Sequence, residues 1–558
     1  MGQLGLIDYV DPWNQIVDKE HDQKIEQQTF RIFHRTTFGL FFHRMRKYLI
    51  WQLALLSFVL TACTSPSPPP AATLRIAFSQ FPTTLNPRKS GDFISSTLIC
   101  LIYEGLTRCL PDGSVEPALA ARIDVSADQT VYTFHLKEAV WSDGQPVSAW
   151  DFERSWKQAL DPESPSLCAY LFYPILGAEA IAHGTLAPEK LGVIALDAKT
   201  LEVRLERPTP HFLALTAFPS FLPTSARSEK IVNGPFFIDQ FAPQAKIGLR
   251  KNPLFWNAKK IALTGIDIHI IPEETTALKM FEQGELDWLG GALSPIPSDA
   301  LEELCSTSQL TFYPIAASTF CTFNTNEYPF HNEHIRKAFD LAIDRTAIAT
   351  HVLHGTQTAA TSLVPPTLWA KEPTVKNLFD PEKARWHLLK GCEELQITNL
   401  EPVTFSVRTS YTDRLLSQIL QRQWKEVLGV HVMIHRTDTK SLKHLLHERN
   451  YQVALTNWIA QYPDPMNILE RFRAKDNAKN YPAWENRGFL ALLDAAQQTL
   501  DATERTAFLT QAEQMLETHS PIALIYHWQV PSLCHPRVKN MMTTPSGGVL
   551  FERVWLEN

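Results

Sequence analysis

The chain has 558 residues, enough for two or three domains, and its 44% hydrophobic and 20% charged content is the balance of a globular protein with sizeable cores. A net charge of −7, with no basic stripe carrying interleaved aromatics, excludes the usual signature of a nucleic-acid binder. Glycine is sparse (22) and proline plentiful (38), and neither a GxGxxG nor a GxxxxGK turn occurs, so nucleotide binding has no motif behind it.

Residues 1–44 carry mixed charges and scattered aromatics, with no export pattern of their own. At Met45 the pattern changes. Arg46 and Lys47 form a short basic start, and Tyr48 to Leu60 is an apolar run too short for a comfortable membrane span. Leu60-Thr61-Ala62-Cys63 then resembles a bacterial lipobox, whose cysteine thiol receives a diacylglyceryl group. Residues 45–62 are therefore expected to be a signal peptide and Cys63 the lipidated mature N-terminus, anchored at a bilayer surface. Because a signal peptide begins a chain, residues 1–44 are expected to be a non-native upstream extension. Residues 63–72, rich in proline, read as a tether with a reach of roughly 28 Å in polyproline form.

From Thr73 the pattern is that of a folded body. LRIAFSQ (74–80) alternates as a strand, LNPRKSGDF (85–93) is a loop, and Ile94, Leu98, Ile99 and Ile102 recur at helical spacing. Short strands follow at 131–140 and 201–206, with a helix between them from Ser148 to Leu160. Beyond residue 266 strand and helix alternate: a strand at 266–271, a helix from Thr275 capped by Gly284, and a longer helix expected over Asn332–Thr350. The segment 403–436 reads as strand, helix and strand, the unit that builds a right-handed parallel crossover. A helix at 502–518 precedes a last strand at 522–530.

The stretch YQVALTNWIAQYPDP (451–465) alternates through Thr456 as a strand and then runs into Trp458 and a proline-stiffened loop. Taken alone it fits a buried tryptophan beside a turn better than it fits a ligand-facing edge. The eight cysteines are scattered without a CxxC pair, so a zinc ribbon or thioredoxin-like centre is not expected; whether Cys100 and Cys109 bridge is left open by sequence.

Several segments in order resemble the peptide- and nickel-type solute-binding proteins of ABC importers. They are VYTFHLKEAVWSDGQPVSAWDF (131–152), Tyr103-Glu104-Gly105-Leu106, Thr200 to Arg204, Asn233-Gly234-Pro235, Gly284-Glu285-Leu286-Asp287 and PFHNEHIRKAFDLAIDR (329–345). The resemblance covers most of the mature chain and is strongest toward the oligopeptide-binding branch. It implies a bilobal, three-domain, periplasmic-binding-protein-like α/β fold that closes by a hinge. One lobe would comprise 73–103, 211–272 and 531–558, with 104–210 packed on it as an accessory domain, and 273–530 would form the other. It also implies an extracytoplasmic or periplasmic location, a monomer, an oligopeptide ligand, an ABC permease as partner, and no cofactor.

In that family an extended peptide is clamped between the lobes by main-chain hydrogen bonds, like an added strand. Carried over by position, one side would be Ser90, Gly91, Asp92 and Phe93, and the other Asn457, Trp458 and Ile459, followed by Gln461, Tyr462 and Asp464. The chain departs from the pattern at the charged anchors. The family aspartate that pairs with the ligand ammonium is Gln461 here, and a basic position in the preceding strand is Leu455. A neutral amide cannot neutralise a buried charge, so the expected ligand is a modified, amino-blocked or murein-type peptide, or one anchored through Asp464.

Rival readings have less support. No GxSxG, HExxH or catalytic cysteine motif argues for an enzyme. The pairs His331/His334, His351/His354 and His444/His447 leave a metal, metal-chelate or haem ligand open, and the same fold also serves adhesins and chaperones.

Overall fold

The computed structural model describes residues 72–307, 309–369 and 378–557. Residues 1–44, the expected signal peptide and Cys63 lie outside them. Among the described residues no helix is long and apolar enough to cross a membrane.

TLRIAF (73–78) is buried almost throughout, as a strand covered on both faces must be. It pairs in parallel with Gly265–Ile270 on one side and with Trp288–Gly290 on the other. Around it a single sheet runs in the order Val432–Thr437, Val403–Arg408, Val453–Ile459, Leu310–Phe323, Ile522–Cys534, Trp288–Gly290, Thr73–Phe78, Gly265–Ile270, Lys246–Lys251, Phe236–Ala242. The expected crossover at 403–436 is present: Val403–Arg408 and Val432–Thr437 pair in parallel, joined by the helix Tyr411–Leu428 with Gly429 in the left-handed conformation at its end.

A second, four-stranded antiparallel sheet is made by Ala120–Val125, Val131–Leu136, Thr200–Arg204 and Val193–Asp197. The helix Ala149–Ala159 turns its apolar stripe (Phe152, Trp156, Ala159) into the same core as Phe134, Leu201 and Leu74, so this accessory sheet shares one hydrophobic interior with the N-terminal lobe. The other lobe has two cores, one on each face of its strands. Cys321, Phe323, Val453, Leu455, Ala523 and Ile525 face one, and Ala316, Phe320, Ala460, Ile522 and Leu524 face the other.

The segments that carry the family resemblance turn out to be joints. Asn233 exchanges two hydrogen bonds of 3.1 Å with the backbone of Glu104, and Gly234 N–H donates to the Ile102 carbonyl at 2.8 Å. A Cβ on Gly234 would lie 2.4 Å from the Ile102 carbonyl carbon, so only glycine allows this approach. Asp287, fully buried, accepts paired hydrogen bonds from both Arg75 and Arg537, tying the first strand to the C-terminal segment. The Arg345 guanidinium is 4% exposed and donates to the Leu524 carbonyl at 2.7 Å while pairing with Asp340.

One helix departs from the sequence expectation. The helix expected over 332–350 breaks after Leu341, because Asp344 caps a new turn by accepting from Ala347 N–H. Ala277, Leu286 and Leu289, which follow residue 273, pack with Ala77 and Leu533. Cys100 and Cys109, whose pairing sequence left open, are both free.

Burial alone would raise the Asp287 carboxyl, but the bonds from Arg75 and Arg537 outweigh it and hold it below the usual carboxylate range. A carboxyl depressed by folding contributes stability above its unfolded pKa of about 3.9 and loses it as pH falls through the lower folded value. Asp287→Asn should therefore cost about 3 kcal/mol in urea unfolding at pH 7, and much less near pH 2.

Candidate ligand-binding site

Val453–Ile459 alternates as its sequence suggests, with Val453 and Leu455 buried in the lobe core. Leu455 is fully buried there, so no group at that position is offered to a ligand. Along one edge all seven residues pair antiparallel with Leu310–Phe323, from Val453 opposite Phe323 to Ile459 opposite Ala317. Along the other edge the ladder with Val403–Arg408 covers only Val453 and Ala454. From Leu455 to Ile459 that edge has no strand partner among the described residues. Arg408 reaches across the gap with its side chain instead, donating to Asn457 Oδ1 at 3.0 Å while held by Asp413.

This edge lies where the lobes change over. Ser318 sits opposite His527 and Pro314 opposite Gln529, so three residues, Ile315 to Ala317, bulge out of the ladder with Ile522–Cys534. The bulge frees Ala316, whose N–H donates to the Pro545 carbonyl at 2.6 Å and whose carbonyl accepts from Ala460 N–H at 2.8 Å.

The loop Ser90–Phe93 is built for rigidity. Asp92 caps the helix Phe93–Ile102, accepting from Ser95 N–H at 2.7 Å and from the Thr83 hydroxyl at 2.6 Å. Ser90 is buried, its hydroxyl 2.7 Å from that of Ser96. Gly91 is exposed, and a Cβ there would meet Leu167 Cδ1 at 2.6 Å. Phe93 is half-buried near Gly547, which Ile315 of the bulge also approaches.

The two sides meet through the accessory domain. Tyr170, three residues beyond Leu167, donates its hydroxyl to Gln461 Oε1. Around this contact Lys479 Nζ lies 3.9 Å from the Tyr170 ring and 5.6 Å from that of Trp458, and the Arg471 guanidinium covers Trp458 at 3.8 Å. Trp458 is half-buried with its indole N–H unpartnered, and Ile459 is 40% exposed. His527, level with Ser318 and Trp458 across the strands, bonds Ser318 through Nδ1 at 2.9 Å and leaves Nε2 unpartnered; burial pulls it down to about 4, so it is neutral.

Asp464 has other work. It is buried, takes two hydrogen bonds of 2.8 and 2.9 Å from Arg505, and accepts from Met466 N–H at 2.8 Å. Burial alone would raise its carboxyl, but the charge of Arg505 overcomes this and holds it below the usual range. Tyr462 is likewise buried, stacked on His211 with ring centroids 4.7 Å apart. Both residues hold the loop in place; neither carries a free polar group toward Trp458.

Tyr170, Arg471 and Lys479 were not among the residues expected from sequence. RFRAKDNAKN (471–480) reads as an ordinary charged loop, and nothing local shows that Arg471 is buried without a carboxylate. Among the described residues no group of three or more His, Cys, Asp or Glu is placed to hold a metal ion. The pair His334 and His387 meets with Nδ1 atoms 2.7 Å apart beside Trp386, with Glu394 Oε1 3.7 Å from His334 Nε2.

Comparison with known proteins agrees with this architecture. The model of the bacterial extracellular solute-binding proteins, family 5 (middle), matches residues 114–480. The oligopeptide-binding protein OppA of Bacillus subtilis is 34% identical over 505 residues, covering 87% of this chain and 93% of that protein. The probable deoxycholate-binding periplasmic protein YgiS of Escherichia coli is 30% identical, covering 88% and 95%. Among solved structures, the murein tripeptide-binding protein MppA of Escherichia coli superposes with a TM-score of 0.72 at 25% identity, covering 87% and 98%. OppA of Listeria monocytogenes bound to peptide gives 0.68 at 26%, covering 87% and 99%. Match, coverage and fold together place this chain among the family 5 bacterial extracellular solute-binding proteins, which bind solutes and are not enzymes.

Proposed function

We propose that this protein captures an extended oligopeptide, or a modified, murein-type one, between its lobes and delivers it to an ABC permease. The observation that carries this reading is the open edge of Leu455–Ile459, beside the lobe crossing, with Gln461 just beyond it bonded to Tyr170 of the accessory domain. A strand edge offers alternating N–H and C=O groups to any peptide backbone, whatever its side chains. Relatives whose names record oligopeptide and murein peptide binding support the same class of ligand. The lobes then close on the ligand about the Ile315–Ala317 bulge.

Within this reading Asn457, Trp458 and Ile459 supply the pairing edge, and Ser90, Gly91, Asp92 and Phe93 form the opposing wall. Gln461 stands at the ligand's end and offers no negative charge. Asp464 is occupied by Arg505, so it positions the loop and leaves a ligand ammonium unpaired. An amino-blocked peptide fits this arrangement better than a free-ended one.

Cys63 remains the proposed lipid attachment point, with residues 63–72 as the tether that holds the binding body at the membrane surface. Mass spectrometry of the mature protein from a bacterial host should find an acylated Cys63 at the N-terminus; an unmodified peptide spanning Ala62–Thr64 would overturn this.

Two measurements test the ligand reading. Calorimetry with acetyl-trialanine and its central N-methyl analogue should show a loss of about ten-fold on methylation, the size of one backbone hydrogen bond. Equal affinities would rule out strand pairing. Asp464→Asn should destabilise the protein by about 3 kcal/mol in urea while leaving the ratio of acetylated to free-amine trialanine affinities unchanged. A free-amine preference lost on that substitution would make Asp464 the ammonium anchor after all.

A further inference from the structure

Arg471 is 5% exposed, and its Nε is sealed without an acceptor. Its guanidinium lies over the faces of Trp458, at 3.8 Å, and Tyr481, at 5.5 Å. Lys479, half-buried, adds a second cation beside it over Tyr170 and Trp458. Among the described residues no carboxylate pairs with either. Aromatic faces attract a cation but accept no N–H in the way a carboxylate does, so both groups retain unmet donors. Burial pulls Arg471 down to about 10, and burial with the nearby Arg471 charge pulls Lys479 down to about 8. Two like charges in one poorly solvated place raise the cost of ordering it unless an anion arrives.

The hydrogen-bond inventory of the place is one-sided. The Gln461 carbonyl oxygen is taken by the Tyr170 hydroxyl, which leaves its NH₂ as the free function. The Trp458 indole N–H has no acceptor. With Arg471 and Lys479 this makes four donor groups and no free carboxylate acceptor around the end of the open strand edge. Such a set receives a carboxylate and rejects an ammonium.

We infer that Arg471 and Lys479, with Tyr170, Trp458 and Gln461, form a subsite for a ligand carboxylate at the Gln461 end of the cleft. The inference rests on the peptide reading above and gives that ligand a charge. The carboxylate has two available sources: an acidic side chain on the first residue of an amino-blocked peptide, or the peptide's own C-terminus lying in the reversed direction.

Four probes separate these cases by calorimetry: acetyl-Glu-Ala-Ala-amide, acetyl-Gln-Ala-Ala-amide, acetyl-Gln-Ala-Ala with a free C-terminal carboxylate, and Gln-Ala-Ala-amide with a free amine. The expected result is that one of the two anionic peptides binds at least about ten-fold tighter than the uncharged one, the effect of one charge-assisted hydrogen bond. Which of the two gains identifies the source. Lys479→Gln, at a half-buried loop position, should shrink that advantage to about three-fold or less. Arg471→Gln should shrink it further, and where that variant unfolds the lysine variant carries the test alone. Binding of the uncharged or free-amine peptide as tightly as the tighter of the two anionic ones would overturn the carboxylate subsite while keeping the peptide reading. An anionic advantage that survives Lys479→Gln in full would also overturn it. Failure of all four to bind would overturn the peptide reading itself.

Discussion

Two long antiparallel strands, Leu310–Phe323 and Ile522–Cys534, pass through both lobes and fix where a cleft can lie. Each lobe hangs its remaining strands on this pair: Trp288–Gly290 on one end, Val453–Ile459 on the other. A sheet that ran unbroken between them would leave no room for a solute. The ladder is broken at Ile315 to Ala317, and there Ala316 turns its backbone toward Pro545 on one side and Ala460 on the other. The hydrogen bonds lost from the ladder are regained in a place where they join one lobe to the other.

The segments by which the chain resembles its family are concentrated at such junctions and not at the site. Asn233 holds Glu104; Asp287 binds both ends of the N-terminal lobe; Arg345 is buried against the Leu524 carbonyl. Each is a polar group in a buried position, where an unmet hydrogen bond is costly and the choice of residue is therefore narrow. That is why they announce the fold so clearly and say little about the ligand.

What sequence could and could not reveal follows from the same physics. Strands and helices in the N-terminal lobe, the crossover at 403–436 and the strand at 453–459 are written in periodicity, which is local. The break after Leu341 was also local, in the capping Asp344, but the apolar stripe running through Ile343 masked it. The packing of Ala277 and Leu289 with Ala77 is a contact between distant segments, which periodicity does not show. The cation cluster is harder still. Arg471 and Lys479 look like solvated charges, and only the fold shows that one is buried and that neither has met a carboxylate.

The hydrogen bond from Tyr170 to Gln461 joins the accessory domain to the opposite lobe. With Gln461 at the ligand's end, as proposed, choice of ligand and the resting balance between open and closed forms pass through one side chain. A carboxylate at 461 would offer this hydroxyl a stronger acceptor and favour the closed form before any ligand arrived, while a neutral amide holds it more loosely. On the proposed reading, a change of specificity at 461 also resets how often the empty cleft is shut.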